Sequence, residues 1–147
     1  MERSTSRLRS LVPAILLFLV AACDRETECP PRFCTEQFVS VALSFADASG
    51  NPVPVRDVAA VNTRTGTNYA PEAAGIRPDS ASRYIIITDS EKQTVSGRGD
   101  TIRVTAAHAA TGQEKTAELV VSGGECACHI QKVSGPERVV FDQVSGR

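Results

Sequence analysis

Short segments in which apolar residues alternate with small or polar ones, each closed by turn chemistry, constrain this chain most. In residues 37–46, Val39, Val41, Leu43 and Phe45 alternate with Ser40, Ala42 and Ser44. That is the period of a half-buried strand. Asp47-Ala48-Ser49-Gly50-Asn51-Pro52 stops it, because these residues supply positive φ, side-chain hydrogen bonds to the local backbone and a missing N–H. In residues 101–108, Ile102, Val104, Ala106 and His108 share one face, opposite Thr101, Arg103 and Thr105. Residues 115–121 repeat the pattern through Ala117, Leu119 and Val121. Residues 53–62 form another strand, confined by Pro52 and Pro54 to a sheet edge or a strand start. Tyr84-Ile85-Ile86-Ile87 is a continuous apolar run, expected of a central strand buried on both faces. Residues 89–93 read as a charged turn. Residues 94–96, 125–133 and 138–141 bring the count to seven or eight strands. Nothing between them looks like a crossover helix, so the expected fold is all-β, a single antiparallel β-sandwich over residues 37–147.

The longest irregular stretch is 68–82. Pro71-Glu72-Ala73-Ala74-Gly75 within it suits one helical turn, with Pro early and Gly at the exit. As a loop on a sandwich, this stretch is a candidate surface for a partner.

The N-terminus reads as an export signal. Arg3, Arg7 and Arg9 form a basic head, the apolar run 11–20 follows, and Val20-Ala21-Ala22-Cys23 supplies small residues before a cysteine. The run is too short for a membrane span, which needs about 20 residues. Val20 to Cys23 resembles the bacterial lipobox. That resemblance implies cleavage between Ala22 and Cys23, acylation of the Cys23 thiol and a lipid anchor in a bacterial cell envelope. Asp24 holds the place that resembles the enterobacterial inner-membrane retention signal, a rule other bacteria do not share, so inner and outer membrane both stay open. Residues 23–36 would then be the lipidated N-terminus and a polar tether.

Cleavage removes three arginines and one glutamate from totals of 16 Lys+Arg and 17 Asp+Glu, leaving 13 basic and 16 acidic residues on 125. No basic stripe stands out and there is no Trp, which argues against nucleic acid as a partner. The expected partners are the membrane, through the lipid, and an envelope protein or polymer.

Four cysteines remain beside Cys23: Cys29, Cys34, Cys126 and Cys128. An even number in an exported chain favours disulfides, because that compartment is oxidising. On a strand, Cys126 and Cys128 would face the same way and bond each other poorly. Each is therefore expected to reach back to one of Cys29 and Cys34, although four cysteines allow three pairings. The alternative is a metal-binding or redox site made of the same four thiolates with His129. The Cys-x-Cys spacing is tighter than the common zinc knuckle, and Cys126-Ala127-Cys128-His129 is one residue short of a haem c attachment motif.

His108 and His129 are the only histidines. His108 reads as a strand-end residue, and alternation turns His129 away from the cysteine face, towards solvent. No Gly-x-Ser-x-Gly elbow, metalloprotease His-Glu motif or phosphate-binding Gly loop occurs. No catalytic residue, cofactor or metal is therefore expected, and a hydrolase built on loops around His108 or His129 is a distant third reading. Arg98-Gly99-Asp100 resembles an integrin-binding tripeptide, but reads more simply as a charged turn.

One further resemblance concerns the mature domain. Residues 47–55, followed by apolar residues and Thr65-Gly66, look like the opening of carboxypeptidase regulatory-like domains. The resemblance covers about the first third of the domain. It implies a prealbumin-like sandwich, close in architecture to an Ig-like one, that serves as an accessory module without catalytic residues.

Overall fold

Alternating burial divides the strands between two sheets. The structure, a computed structural model, describes residues 29–69 and 83–142. The signal segment, Cys23 and the helical turn expected at 71–75 lie outside these residues. Seven strands are present among the described residues: β1 Ser40–Ala46, β2 Val55–Asn62, β3 Arg83–Thr88, β4 Asp100–His108, β5 Glu114–Ser122, β6 Gln131–Ser134 and β7 Arg138–Val140. One sheet has the order β3-β1-β7 and the other β2-β4-β5-β6. This is the expected all-β sandwich. Every pairing is antiparallel except β1 with β7, which is parallel.

The inner faces come from the alternating residues. Leu43 and Phe45 of β1, Ile102 and Val104 of β4, and Leu119 and Val121 of β5 are buried, together with Ile86, Ile87 and Phe141. Phe45 meets Tyr84 edge-on, with ring centroids 5.2 Å apart, the geometry aromatic quadrupoles favour. The Tyr84 hydroxyl accepts from the Val55 backbone N–H at 3.3 Å, joining an edge of one sheet to an edge of the other.

Three readings of the sequence need correction. The isoleucine strand is not central: β3 lies at a sheet edge, and Ile85 is 42% exposed. A sheet face lying over the other sheet buries Tyr84 and Ile86, and only Ile87 adds a second buried apolar neighbour. Residues 89–94 form a 3-10 helix, Asp89–Thr94, and no strand occurs at 94–96. Residues 125–130 are a turn, so the strand expected at 125–133 is only β6.

The prolines do confine β2. It is an edge strand with a register shift between Arg56 and Ala59, where Asp57 takes a φ of 54°. A bulge of this kind on an edge discourages pairing with another chain.

The end of the sandwich where β4 begins is tied by a buried carboxylate. Asp100 accepts from Arg64 Nε and Nη2, both at 2.7 Å, from Asn62 Nδ2 at 2.8 Å and from the Ser96 N–H at 3.1 Å. The Asn62 amide oxygen accepts from the backbone N–H groups of Arg64 and Thr65, closing the turn after β2. The Asp100 side chain is 2% exposed, so the Arg-Gly-Asp tripeptide does not display its carboxylate. Hydrogen bonds from Arg64 foremost, with Asn62 and Ser96, outweigh burial and hold the Asp100 carboxyl down at about 2.

The stabilisation from Asp100 is complete above the ordinary carboxylate range and is lost as pH falls towards 2, a contribution of about 2 kcal/mol. Arg64→Met is expected to lower stability at neutral pH and to move acid unfolding, followed by circular dichroism, to higher pH. An unmoved acid midpoint would mean that Asn62 and Ser96 hold the carboxylate without the guanidinium.

Candidate functional site

Cys29, Cys34, Cys126, Cys128 and His129 meet at this same end of the sandwich. Cys29 bonds Cys126 and Cys34 bonds Cys128, across 97 and 94 residues, with Cα–Cα distances of 5.1 and 5.3 Å. The sequence expectation that each member of the C-terminal pair reaches back is met. Its premise was wrong, because the pair sits on a turn and not on a strand.

Two glycines make that turn possible. A Cβ on Gly123 would lie 2.5 Å from Val95 Cγ2 and 2.7 Å from the Lys92 carbonyl oxygen. Its neighbour Gly124, at a φ of 87°, donates its N–H to the same Lys92 oxygen at 2.8 Å. Lys92 Nζ in turn donates to the Ala127 carbonyl at 2.7 Å. The cysteine turn is thus cradled against the 3-10 helix by backbone contact and one ammonium group.

His129 does not face solvent as expected. Its Nδ1 lies 2.7 Å from Asp89 Oδ2 and its Nε2 lies 3.0 Å from Thr35 Oγ1. An ionised carboxylate only accepts, so a neutral ring carries its proton on Nδ1 and accepts from the Thr35 hydroxyl. The disulfide helps set this contact, since Thr35 follows Cys34 and His129 follows Cys128.

Asp89 is the hub. Besides His129 it accepts from the Val39 N–H at 2.9 Å and the Ile130 N–H at 2.8 Å. It therefore joins the approach to β1, the start of the 3-10 helix and the approach to β6. Burial acts to raise its pKa; the hydrogen bonds from Ile130, Val39 and His129 outweigh burial and hold the carboxyl below its usual range.

Hydroxyl, imidazole and carboxylate are connected here in the order of a nucleophile, base and orienting acid. The carboxylate, however, is shared with two backbone N–H groups that fasten separate segments, which is the pattern of a structural clamp. His108 takes no part in it. At the opposite end of the sandwich, its Nδ1 accepts from the N–H groups of Ala110 and Thr111, and its ring packs edge-on against Phe141. His108 therefore shapes the hairpin between β4 and β5, as a strand-end residue does.

The metal alternative required Cys29, Cys34, Cys126 and Cys128 as thiolates with His129. All four sulfurs are bonded to one another in pairs, and a disulfide sulfur is not a thiolate ligand. Among the described residues no group of three or more His, Cys, Asp or Glu is placed to hold a metal ion. A shallow depression of about 280 Å³ lies beside the bridges, lined by Arg32, Cys126, Cys128 and His129 among others.

Sequence reasoning missed Asp89 and Thr35. A signal for Asp89 was present: Thr88-Asp89-Ser90-Glu91 is a capping box. The Thr88 hydroxyl accepts from the Ser90 N–H at 3.2 Å, and Glu91 Oε2 accepts from the Thr88 N–H at 3.0 Å. Thr35 carries no such signal, since only the bridge brings it to His129. Comparison with protein-family models, curated protein sequences and solved structures finds no match to this chain.

Two outcomes follow from this geometry. Asp89→Ala leaves the Val39 and Ile130 N–H groups without their acceptor and is expected to cost about 2 kcal/mol in urea unfolding. The wild-type contribution of Asp89 is present above the ordinary carboxylate range and fades as pH falls below it. For the bridges, replacing Cys34 and Cys128 together by Ser is expected to cost about 2 kcal/mol, and removing both bridges roughly three times that. The second bridge costs less than the first because it closes only a small loop once the other has closed the large one. Equal and additive losses would contradict this nesting.

Proposed function

We propose that this chain is a lipid-anchored accessory protein of a bacterial cell envelope, without catalytic activity. Its N-terminal cysteine, Cys23, carries the lipid, and its sandwich serves as a structural or binding module for an envelope protein or polymer. The observation that carries the reading is the pairing of all four cysteines beside Cys23. Such bridges suit an oxidising compartment, the destination implied by the basic head, apolar run and lipobox-like tetrapeptide. The first described residue, Cys29, is bonded only six positions after Cys23, so little free chain separates the lipid from the folded domain. The opposite end carries the turn after β1, where Asp47 Oδ1 accepts from the N–H groups of Ser49 and Asn51, and the β4–β5 hairpin. These turns face away from the anchor and are the surfaces offered to a partner. Of the loop 68–82, suggested by the sequence for that role, only Asn68 and Tyr69 are among the described residues.

The test is fractionation of cells producing the full chain and a Cys23→Ser variant, with the mass of the N-terminal peptide. The expected result is membrane-bound wild-type protein with an acylated Cys23 at its N-terminus, and a variant that is not acylated or cleaved there. An unmodified Cys23 would refute the anchor. Thiols that react before any reduction, with a metal in the native mass, would replace the accessory reading by the metal and redox one.

A further inference from the structure

We propose that the loop closed by the two disulfides, and Phe33 at its end in particular, is a foot that rests in the headgroup region of the membrane. This rests on the lipid-anchor reading and adds to it a second, specific point of contact.

The loop is Cys29-Pro30-Pro31-Arg32-Phe33-Cys34. Both of its ends are held to the domain, through Cys126 and Cys128. Two consecutive prolines fix φ between them, so the loop has few conformations left to lose on binding. This rigid loop points its largest apolar side chain outward: Phe33 is fully exposed, and Phe38, just before β1, is 64% exposed. Elsewhere the phenylalanines of the described residues, Phe45 and Phe141, are 2% exposed or less. The two exposed rings belong to the arm that precedes β1, the part of the domain nearest in sequence to the lipid.

Reach identifies what covers them. From Cys23 to Cys29 is six residues, which span at most about 20 Å when extended. With the lipid in place, the stapled loop cannot leave the neighbourhood of the bilayer surface, and the tether holds it there at high effective concentration. Arg32 beside Phe33 completes an aromatic and a cation, the pair that suits a headgroup region, where a ring takes the acyl boundary and a guanidinium the phosphates. A protein partner would have to fit between loop and lipid; the bilayer is already there.

The consequence is orientation. A lipid alone leaves the domain free to rotate about its tether, whereas a lipid and a foot fix which end faces the membrane. The turns at 47–51 and 109–113 then point outward.

The chain has no Trp, so one substitution provides a unique emission probe. The full lipidated protein, as Phe33→Trp, would be placed in vesicles of phosphatidylethanolamine and phosphatidylglycerol, with and without bromine on the upper acyl chain. Ala48→Trp, in the exposed turn at the other end, is the comparison. The expected result is a blue-shifted Phe33→Trp emission that brominated lipid quenches, while Ala48→Trp stays water-like and unquenched. Vesicle-bound protein whose Phe33→Trp emission is water-like and unquenched would overturn the foot and leave the anchor standing; the exposed rings would then belong to a protein contact. Protein that does not float with the vesicles would overturn both.

Discussion

Two covalent bridges tie an arm without strand structure to the last third of the chain, and the rest of this molecule is arranged around that closure. Residues 29–39 contribute no strand. What places them is Cys29 and Cys34 on Cys126 and Cys128, with the Asp89 carboxylate drawing in Val39, Ile130 and His129. The bridges act mainly on the unfolded chain, by removing large-loop freedom. The carboxylate acts on the folded one, by satisfying two backbone donors and an imidazole where water is scarce. Covalent and polar terms therefore converge on the end of the sandwich that lies nearest the proposed lipid.

A second carboxylate, Asp100, performs a related task at the same end. It is more deeply buried, and its partners come from the turn after β2 and the connection into β4. Both acids are held below their ordinary pKa, so both withdraw support as the solution becomes acidic. At the opposite end Asp47 and Asp142 are likewise held below their usual range, by hydrogen bonds from Asn51 and Lys115 foremost, and His108 closes the β4–β5 hairpin.

Strands with strict alternation were legible from sequence, since the residues of β1, β4 and β5 declare their buried face at every second position. What local pattern does not carry is the neighbour. Tyr84-Ile85-Ile86-Ile87 looks the same whether it lies in the middle of a sheet or at its edge, and only the order β3-β1-β7 decides. Likewise, nothing in Arg138–Val140 announces a parallel partner 94 residues earlier in the chain, as Ser44 is to Arg138. His129 was misread because alternation was carried through a segment that is a turn. The cysteine pairing was inferred from compartment and count, not from secondary structure, which is why it survived that error. Asp89 was readable in part, through the capping box, as the start of a helical turn. Its role as a hub depends on Val39 and Ile130, which no local pattern links to it.

The N-terminal arm is covalently part of the domain, so that an anchor on Cys23 would hold the whole sandwich. Tryptic mapping of the unreduced full-length protein tests it most directly. Cleavage after Arg32 separates Cys29 from Cys34, while Cys126 and Cys128 stay on one peptide. The expected product is a three-chain species in which both N-terminal peptides are linked to that one. Peptides bearing Cys29 and Cys34 joined only to each other, or alkylated without reduction, would contradict it.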